Sequence, residues 1–132
     1  MLSRKHRIVN RKAIPYILNK GSKLRGEALL CKYIMKETKE NLDLNIPQEV
    51  RLAFLISKKI DKKAHNRNRL KRQLSEMAGL FLKQYNGFKK SFDIVILPLS
   101  GIHSKTFQDL DRDLNNLLSQ ITSHKYYEKT NY

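Results

Sequence analysis

The 132-residue sequence is short of several kinds of residue, and each shortage excludes a class of protein. Cys31 is the only cysteine, which excludes an internal disulfide and a multi-cysteine zinc site. No apolar run approaches the roughly 20 residues that a membrane-spanning helix needs. The basic N-terminal residues are not followed by the apolar stretch of a secretory signal. These absences predict a reduced cytoplasmic protein that has no membrane partner.

Acidic residues are also scarce. The sequence has 12 Asp and Glu against 27 Lys and Arg, which leaves a formal net charge of +15. Positive charge is concentrated in residues 4–36 and 51–72, where Glu27 and Asp61 are the respective single acids. Because ordinary surfaces intersperse the two signs, this distribution favours a polyanion-binding face over a merely basic solvated surface.

Hydrophobic periodicity predicts an α/β (α+β) sandwich in which helices pack on a small sheet. The expected helices span residues 10–20 and 66–85 and a stretch from 106 onward, and the expected strands span 28–35, 51–57 and 92–97. Gly21 stands where a helix C-cap glycine is expected, and Thr106 with Asp109 resembles a capping box. We expect one domain over residues 1–122, with a long loop at 37–49 and a polar, frayed tail at 123–132.

The densest basic block runs from Ser57 to Arg72. If a helix begins near Asn66, the stripe led by Leu70 faces the core, while the flanking cations and amides remain free to bind phosphate. The candidate nucleic-acid-binding residues are Lys58, Lys59, Lys62, Lys63, Arg67, Asn68, Arg69, Lys71 and Arg72. A basic solvated helix start or a localisation-like run is the alternative, and the block alone does not distinguish RNA from DNA.

The spacing within this block is more informative than its charge. Ser57-Lys58-Lys59 is followed at fixed distances by Ala64, by Arg67-Asn68-Arg69 and by Lys71-Arg72. This pattern resembles the signature of the bacterial ribonuclease P protein family: a strand ending in Ser-Lys-Lys, a turn, Ala, two residues, Arg-Asn, two residues and Lys-Arg. The surrounding order of a first helix, a late strand at 92–96 and a closing helix at 107–118 resembles the family as well.

The resemblance implies both a fold detail and a function. The fold would contain a left-handed strand–helix–strand crossover, although the general rule favours the right-handed form. The chain would be the accessory protein of the ribonuclease P holoenzyme, an endoribonuclease that removes the 5′ leader from precursor tRNA. In that family the RNA subunit carries out hydrolysis with Mg2+, and the arginine-rich helix of the protein contacts this catalytic RNA.

The resemblance also implies a cleft, between the first helix and the sheet, that holds the single-stranded leader. The residues aligned with this cleft are Arg11, Ile14, Leu18, Lys32 and Tyr33. Ile14 and Leu18 occupy positions where the family usually has aromatic rings, and aliphatic side chains do not stack on bases. We therefore expect basic residues to carry more of the leader affinity, with Tyr16 and Tyr33 as the nearby rings that would restore stacking.

No residue pattern indicates protein-based catalysis or a metal site. The only acidic cluster is Asp109, Asp111 and Asp113, which is interpreted as a favourable helix-dipole interaction on a solvated face. The four histidines lack the spacing of zinc ligands. A ribosomal or ribosome-associated RNA-binding protein is the main alternative, whereas a DNA-binding module or an independent metal-dependent nuclease is less favoured.

Overall fold

The computed structural model describes residues 6–8, 11–36, 50–84 and 91–122. The described elements are α1 (Ala13–Lys20), β1 (Ser22–Arg25), β2 (Leu29–Lys36), β3 (Val50–Phe54), α2 (Ala64–Gln84), β4 (Ser91–Pro98), a 3-10 turn (Ile102–Ser104) and α3 (Phe107–Thr122). The predicted 37–49 loop, the end of the second predicted helix at residue 85 and the predicted 123–132 tail lie outside the described residues. None of the described helices has the length and apolar character needed to cross a membrane.

The four described strands form one sheet in the order β1-β2-β4-β3. Strand β2 pairs antiparallel with both β1 and β4, whereas β3 and β4 run parallel. Parallel neighbours require a crossover, and α2 lies between β3 and β4 in the chain. The α+β sandwich is therefore confirmed, while the left hand of its crossover stays a prediction.

The two faces of the sheet have different partners. Cys31 and Tyr33 of β2 are buried in the main core together with residues of α2 and α3. Lys32 lies between them in the sequence, so its side chain points to the opposite face. There its Nζ donates a hydrogen bond to the carbonyl oxygen of Leu18 in α1, at 2.9 Å. Helix α1 therefore covers one face, and α2 and α3 cover the other.

The main core lies between the sheet and the apolar stripes of α2 and α3. Both stripes recur at helical spacing, as the sequence predicts. The buried residues of α2 are Leu74, Met77, Ala78, Phe81 and Leu82, and the apolar buried residues of α3 are Leu110, Leu114, Leu117, Leu118 and Ile121. Because these stripes are buried against the sheet, their spacing in the sequence predicts where the two helices lie.

Gly21 is needed for a reason other than the predicted C-cap geometry. Its φ is −71°, which any residue adopts, so it does not form a left-handed cap. A Cβ at this position would instead lie 2.5 Å from the carbonyl oxygen of Ile17 and 3.0 Å from that of Tyr33. The absence of a side chain lets the end of α1 approach β2 closely.

Asp113 corrects the predicted solvated acidic face of the last helix. Its side chain is buried, and its carboxylate accepts backbone N–H bonds from Glu27 at 3.0 Å, Ala28 at 2.9 Å and Leu29 at 3.0 Å. A buried carboxylate requires such donors because an unsatisfied charge is very costly away from water. Asp113 thus anchors α3 to the turn between β1 and β2.

The predicted capping box at the start of α3 is confirmed. The backbone N–H of Asp109 donates to the hydroxyl oxygen of Thr106, and the N–H of Thr106 donates to the carboxylate of Asp109, both at 3.1 Å. Hydrogen bonds from the Thr106 N–H and hydroxyl lower the pKa of the Asp109 carboxyl. The reciprocal bonds satisfy backbone donors that the helix itself leaves free.

Candidate nucleic-acid interface

A turn before α2 presents the first lysines of the basic block. The carbonyl oxygen of Ser57 accepts backbone N–H bonds from Ile60 at 3.1 Å and Asp61 at 3.3 Å. Ile60 packs against the main core, whereas Lys58 and Lys59 are exposed. The apolar Ile60 side chain therefore fixes the turn, and the two lysines project into solvent.

Asp61, the only acid in the basic block, organises the start of α2. Its Oδ1 accepts the backbone N–H of Lys63 at 3.0 Å and an amide N–H of Asn66 at 3.4 Å. The hydrogen bond from the Lys63 N–H is the main cause that lowers the pKa of the Asp61 carboxyl. The carboxylate is therefore ionised near neutral pH and satisfies local donors.

Arg67 departs from the predicted arrangement. It lies seven residues before the buried Leu74 and so on the inner side of α2, where it is half-buried. Its Nη1 donates to the carbonyl oxygens of Asp61 and Lys62, both at 2.9 Å. Its guanidinium therefore also has a structural role, because it holds the preceding turn against the helix, and its predicted contact with RNA stays a prediction.

The other eight candidate residues of the basic block form one exposed set, which we call the α2 basic surface. They extend from the turn through the first three turns of α2, and the helix has no acid in its first turn. The members are Lys58, Lys59, Lys62, Lys63, Asn68, Arg69, Lys71 and Arg72. Seven exposed cations at this density suit a polyanion such as nucleic acid better than a small anion.

The predicted cleft lies between α1 and its face of the sheet. Ile17 is fully buried against the sheet, while Ile14 and Leu18 are half-buried on one flank of α1. Lys32 joins them through its bond to the Leu18 carbonyl, and Arg11 is exposed just before the helix. The structure therefore brings four of the five predicted cleft residues to one region.

Tyr33 is the predicted cleft residue that the structure places elsewhere. Only 6% of its surface is exposed, and its ring meets Phe92 edge to face at a centroid distance of 6.4 Å in the main core. Tyr16 is 58% exposed, but at about 100° per residue it lies on the flank of α1 opposite Ile14 and Leu18. Neither ring stands beside the two aliphatic positions.

Strand β1 adds two cations that sequence reasoning missed. Lys23 pairs directly with Lys32, and Arg25 pairs with Leu30, so all four side chains project from the α1 face of the sheet. Lys23 and Arg25 are both exposed. Lys23 and Arg25 alternate with the inward-facing Leu24, which is the pattern of a strand. Four residues are too few for this alternation to predict a strand from the sequence.

A carboxylate on the same face is neutralised by an arginine. Asp93 of β4 is 1% exposed, and Arg51 of β3 forms a two-point ion pair with it, at 3.0 Å from Nε to Oδ1 and 3.3 Å from Nη2 to Oδ2. A bidentate pair of this kind is strong and geometrically specific. The buried acid therefore does not oppose the positive potential of the cleft.

Comparison with known proteins identifies the family. The family model described as Ribonuclease P matches residues 2–122, which is most of the chain. The chain belongs to the ribonuclease P protein family. Members of the family are the protein component of ribonuclease P, the holoenzyme that processes the 5′ ends of tRNA.

Individual ribonuclease P proteins agree in sequence and in fold. The ribonuclease P protein component of Syntrophomonas wolfei is 34% identical over 115 residues, covering 86% of this chain and 84% of that protein. The solved ribonuclease P protein of Thermotoga maritima superposes with a TM-score of 0.66 at 24% identity, covering 86% of this chain and 96% of the other. For Staphylococcus aureus the TM-score is 0.67 at 21% identity, covering 88% and 94%. These similarities support the ribonuclease P function over the ribosomal alternative.

Proposed function

We propose that this chain binds the catalytic RNA of ribonuclease P through the α2 basic surface and thereby assists removal of the 5′ leader from precursor tRNA. The observation that carries this assignment is the exposure of all eight members of that surface on a single turn and helix. Arg69 and Arg72 are suited to RNA because a guanidinium binds phosphate through two hydrogen bonds and stacks on bases. Arg67 supports this surface by holding the turn in place.

The α1 cleft is proposed to hold the leader mainly by charge. Lys23 and Arg25 are free to contact phosphates, whereas the ammonium of Lys32 is partly engaged by the Leu18 carbonyl at the end of α1. Ile14 and Leu18 offer apolar contact but have no aromatic ring on which a base could stack. The part of the binding affinity that comes from the leader should therefore depend strongly on salt concentration and only weakly on the leader's sequence.

Hydrolysis is assigned to the RNA subunit, with Mg2+ held by the RNA and the substrate. Within the described residues, no group of three His, Cys, Asp or Glu side chains is placed to hold a metal ion. This supports placing the magnesium ions on the RNA and the substrate rather than on these residues. Their contribution is affinity, positioning and neutralisation of phosphate charge.

The RNA assignment is tested by isolating the native complex. The tagged protein is purified under native conditions, and its bound RNA is sequenced and assayed for cleavage of precursor tRNA. A structured RNA that cuts precursor tRNA in the presence of Mg2+ is the expected result. Recovery of ribosomal RNA alone would contradict the proposal and restore the ribosomal alternative.

The leader assignment is tested with reconstituted holoenzyme. We expect the variant carrying Lys23→Ala and Arg25→Ala to lose most of the affinity difference between precursor tRNAs with and without a leader. Lys83→Ala, an exposed charge change at the far end of α2, is the control and should retain that difference. If Tyr16→Ala abolishes the difference while the double variant preserves it, base stacking on α1 dominates and the assignment is wrong.

A further inference from the structure

A pocket of about 280 Å³ lies beside the α2 basic surface, between the first three turns of α2 and the segment that joins β4 to α3. Its apolar lining comes from Leu70, Ile102 and Leu110, of which the last two are almost completely buried. Typical ligand pockets range from about 300 to 1,000 Å³, so this one suits a small flat group such as a nucleobase. The pocket is not part of the leader cleft, which lies on the other face of the sheet.

The rest of the lining is polar and carries more than one kind of hydrogen-bonding group. The amides of Asn66 and Gln73 and the carboxylate of Asp61 come from the α2 side, and the cations are Arg69 and Lys105. Among the described residues, neither the Gln73 amide nor the Arg69 guanidinium has a hydrogen-bond partner. These two groups are therefore available to a ligand.

His103 holds the two walls of the pocket together. Its Nε2 donates to the carbonyl oxygen of Ile60 at 2.7 Å and lies 3.7 Å from Oδ2 of Asp61. This contact connects the 3-10 turn to the turn that precedes α2. The contact holds the segment that carries Lys105 close to the start of α2 before a ligand arrives, which lowers the cost of ordering the site.

We propose that this pocket binds an unpaired nucleotide of the RNA partner whose base carries an exocyclic amino group. The proposal rests on the proposed function, since it adds a base-reading pocket to a surface that is assigned to phosphates. RNA is read in sequence mainly through unstacked bases, and a pocket adjoining a phosphate-binding helix is placed to receive one. Flanking phosphates would lie against Arg69 and Lys105.

The carboxylate distinguishes a base site from a simple phosphate site. Asp61 is ionised and would repel a phosphate placed inside the pocket, whereas its Oδ2 accepts an N–H from the amino group of adenine, cytosine or guanine. Gln73 offers both a donor and an acceptor to the same base edge. Uracil lacks an amino group, and its single ring N–H lies between two carbonyl oxygens that the carboxylate repels, so uridine should bind worst.

The first test uses reconstituted holoenzyme and measures the affinity of the protein for its catalytic RNA. We expect Gln73→Ala and Lys105→Ala each to weaken binding by about tenfold, the effect of losing one well-held base. Gln108→Ala and Lys83→Ala are the matched amide and cation controls, and both should bind like the unchanged protein. If the pocket variants bind as tightly as these controls while Arg72→Ala binds less tightly, the pocket proposal is overturned and the proposed function stands.

The second test is independent of the catalytic RNA. Adenosine, cytidine, guanosine and uridine 5′-monophosphates and inorganic phosphate are titrated separately into the isotope-labelled full-length protein, and the side-chain amide signals of Gln73 are followed by NMR. We expect shifts with the three amino-bearing nucleotides that are several times larger than with uridine monophosphate. Equal shifts with inorganic phosphate, or no shift with any nucleotide, would overturn the base site even if every arginine change weakens RNA binding.

Discussion

Asp113 should contribute substantially to stability, because its buried carboxylate anchors α3 to the turn between β1 and β2. Asp113→Ala removes the acceptor of three backbone N–H groups in the turn between β1 and β2, and two of these bonds, to Ala28 and Leu29, are buried. Water can replace the acceptor for Glu27, whose bond is only partly buried. The change therefore leaves two buried donors without partners.

The size of the effect follows from those two donors. A buried N–H without a partner costs about 1 to 3 kcal/mol, so two of them cost about 2 to 6 kcal/mol. The alanine variant no longer buries a charged carboxylate, so the desolvation penalty of that charge is removed, which offsets part of this cost. We expect a net loss of about 3 to 4 kcal/mol from a total free energy of unfolding that is typically about 5 to 15 kcal/mol.

Urea unfolding followed by circular dichroism measures this loss directly. Asp111→Ala is the control, since Asp111 is half-buried and accepts only a local bond from Asn115, and it should cost under about 1 kcal/mol. Gly26→Ala should weaken the same anchor independently, because its Cβ would collide with the Asp113 carboxylate. A midpoint for Asp113→Ala equal to that of Asp111→Ala would refute the anchoring role.

Three further predictions concern the RNA surface, the core and the cysteine. Arg72→Ala should weaken binding of the catalytic RNA without altering the urea midpoint, and the slope of log affinity against log salt should become shallower by about one unit; an unchanged slope would remove Arg72 from the interface. Leu114→Ala should destabilise the protein by about 2 to 5 kcal/mol in urea unfolding, and a loss below 1 kcal/mol would contradict its full burial. Burial, with the nearby Asp113 carboxylate, raises the pKa of the Cys31 thiol to about 12, so thiol reagents at pH 8 should modify it rapidly only in denaturant. Fast modification of the native protein would contradict that environment.

Periodicity and local chemistry were sufficient for most of the fold. The stripes that include Leu74 and Leu114 identify two helices, and the capping box at Thr106 fixes where the last one begins. The spacing from Ser57 to Arg72 indicates the family without any tertiary information. Each of these patterns involves residues that are close together in the chain, so each can be recognised from the sequence alone.

The remaining features depend on residues that are distant in the chain. Asp113 is buried because α3 passes over the turn at residues 27–29, more than 80 positions earlier. Arg67 is half-buried because its guanidinium donates to the carbonyl oxygen of Asp61 in the preceding turn. Tyr33 lies outside the predicted cleft because a difference of one residue in strand register places its side chain on the opposite face of the sheet, in the core. The pocket beside α2 likewise needs Lys105 from another part of the chain. Amino-acid order thus determined the elements other than β1 and the charge of α2, because their signals are local. The pairing of strands and the docking of α3 decided which polar groups are buried and which remain free to bind RNA.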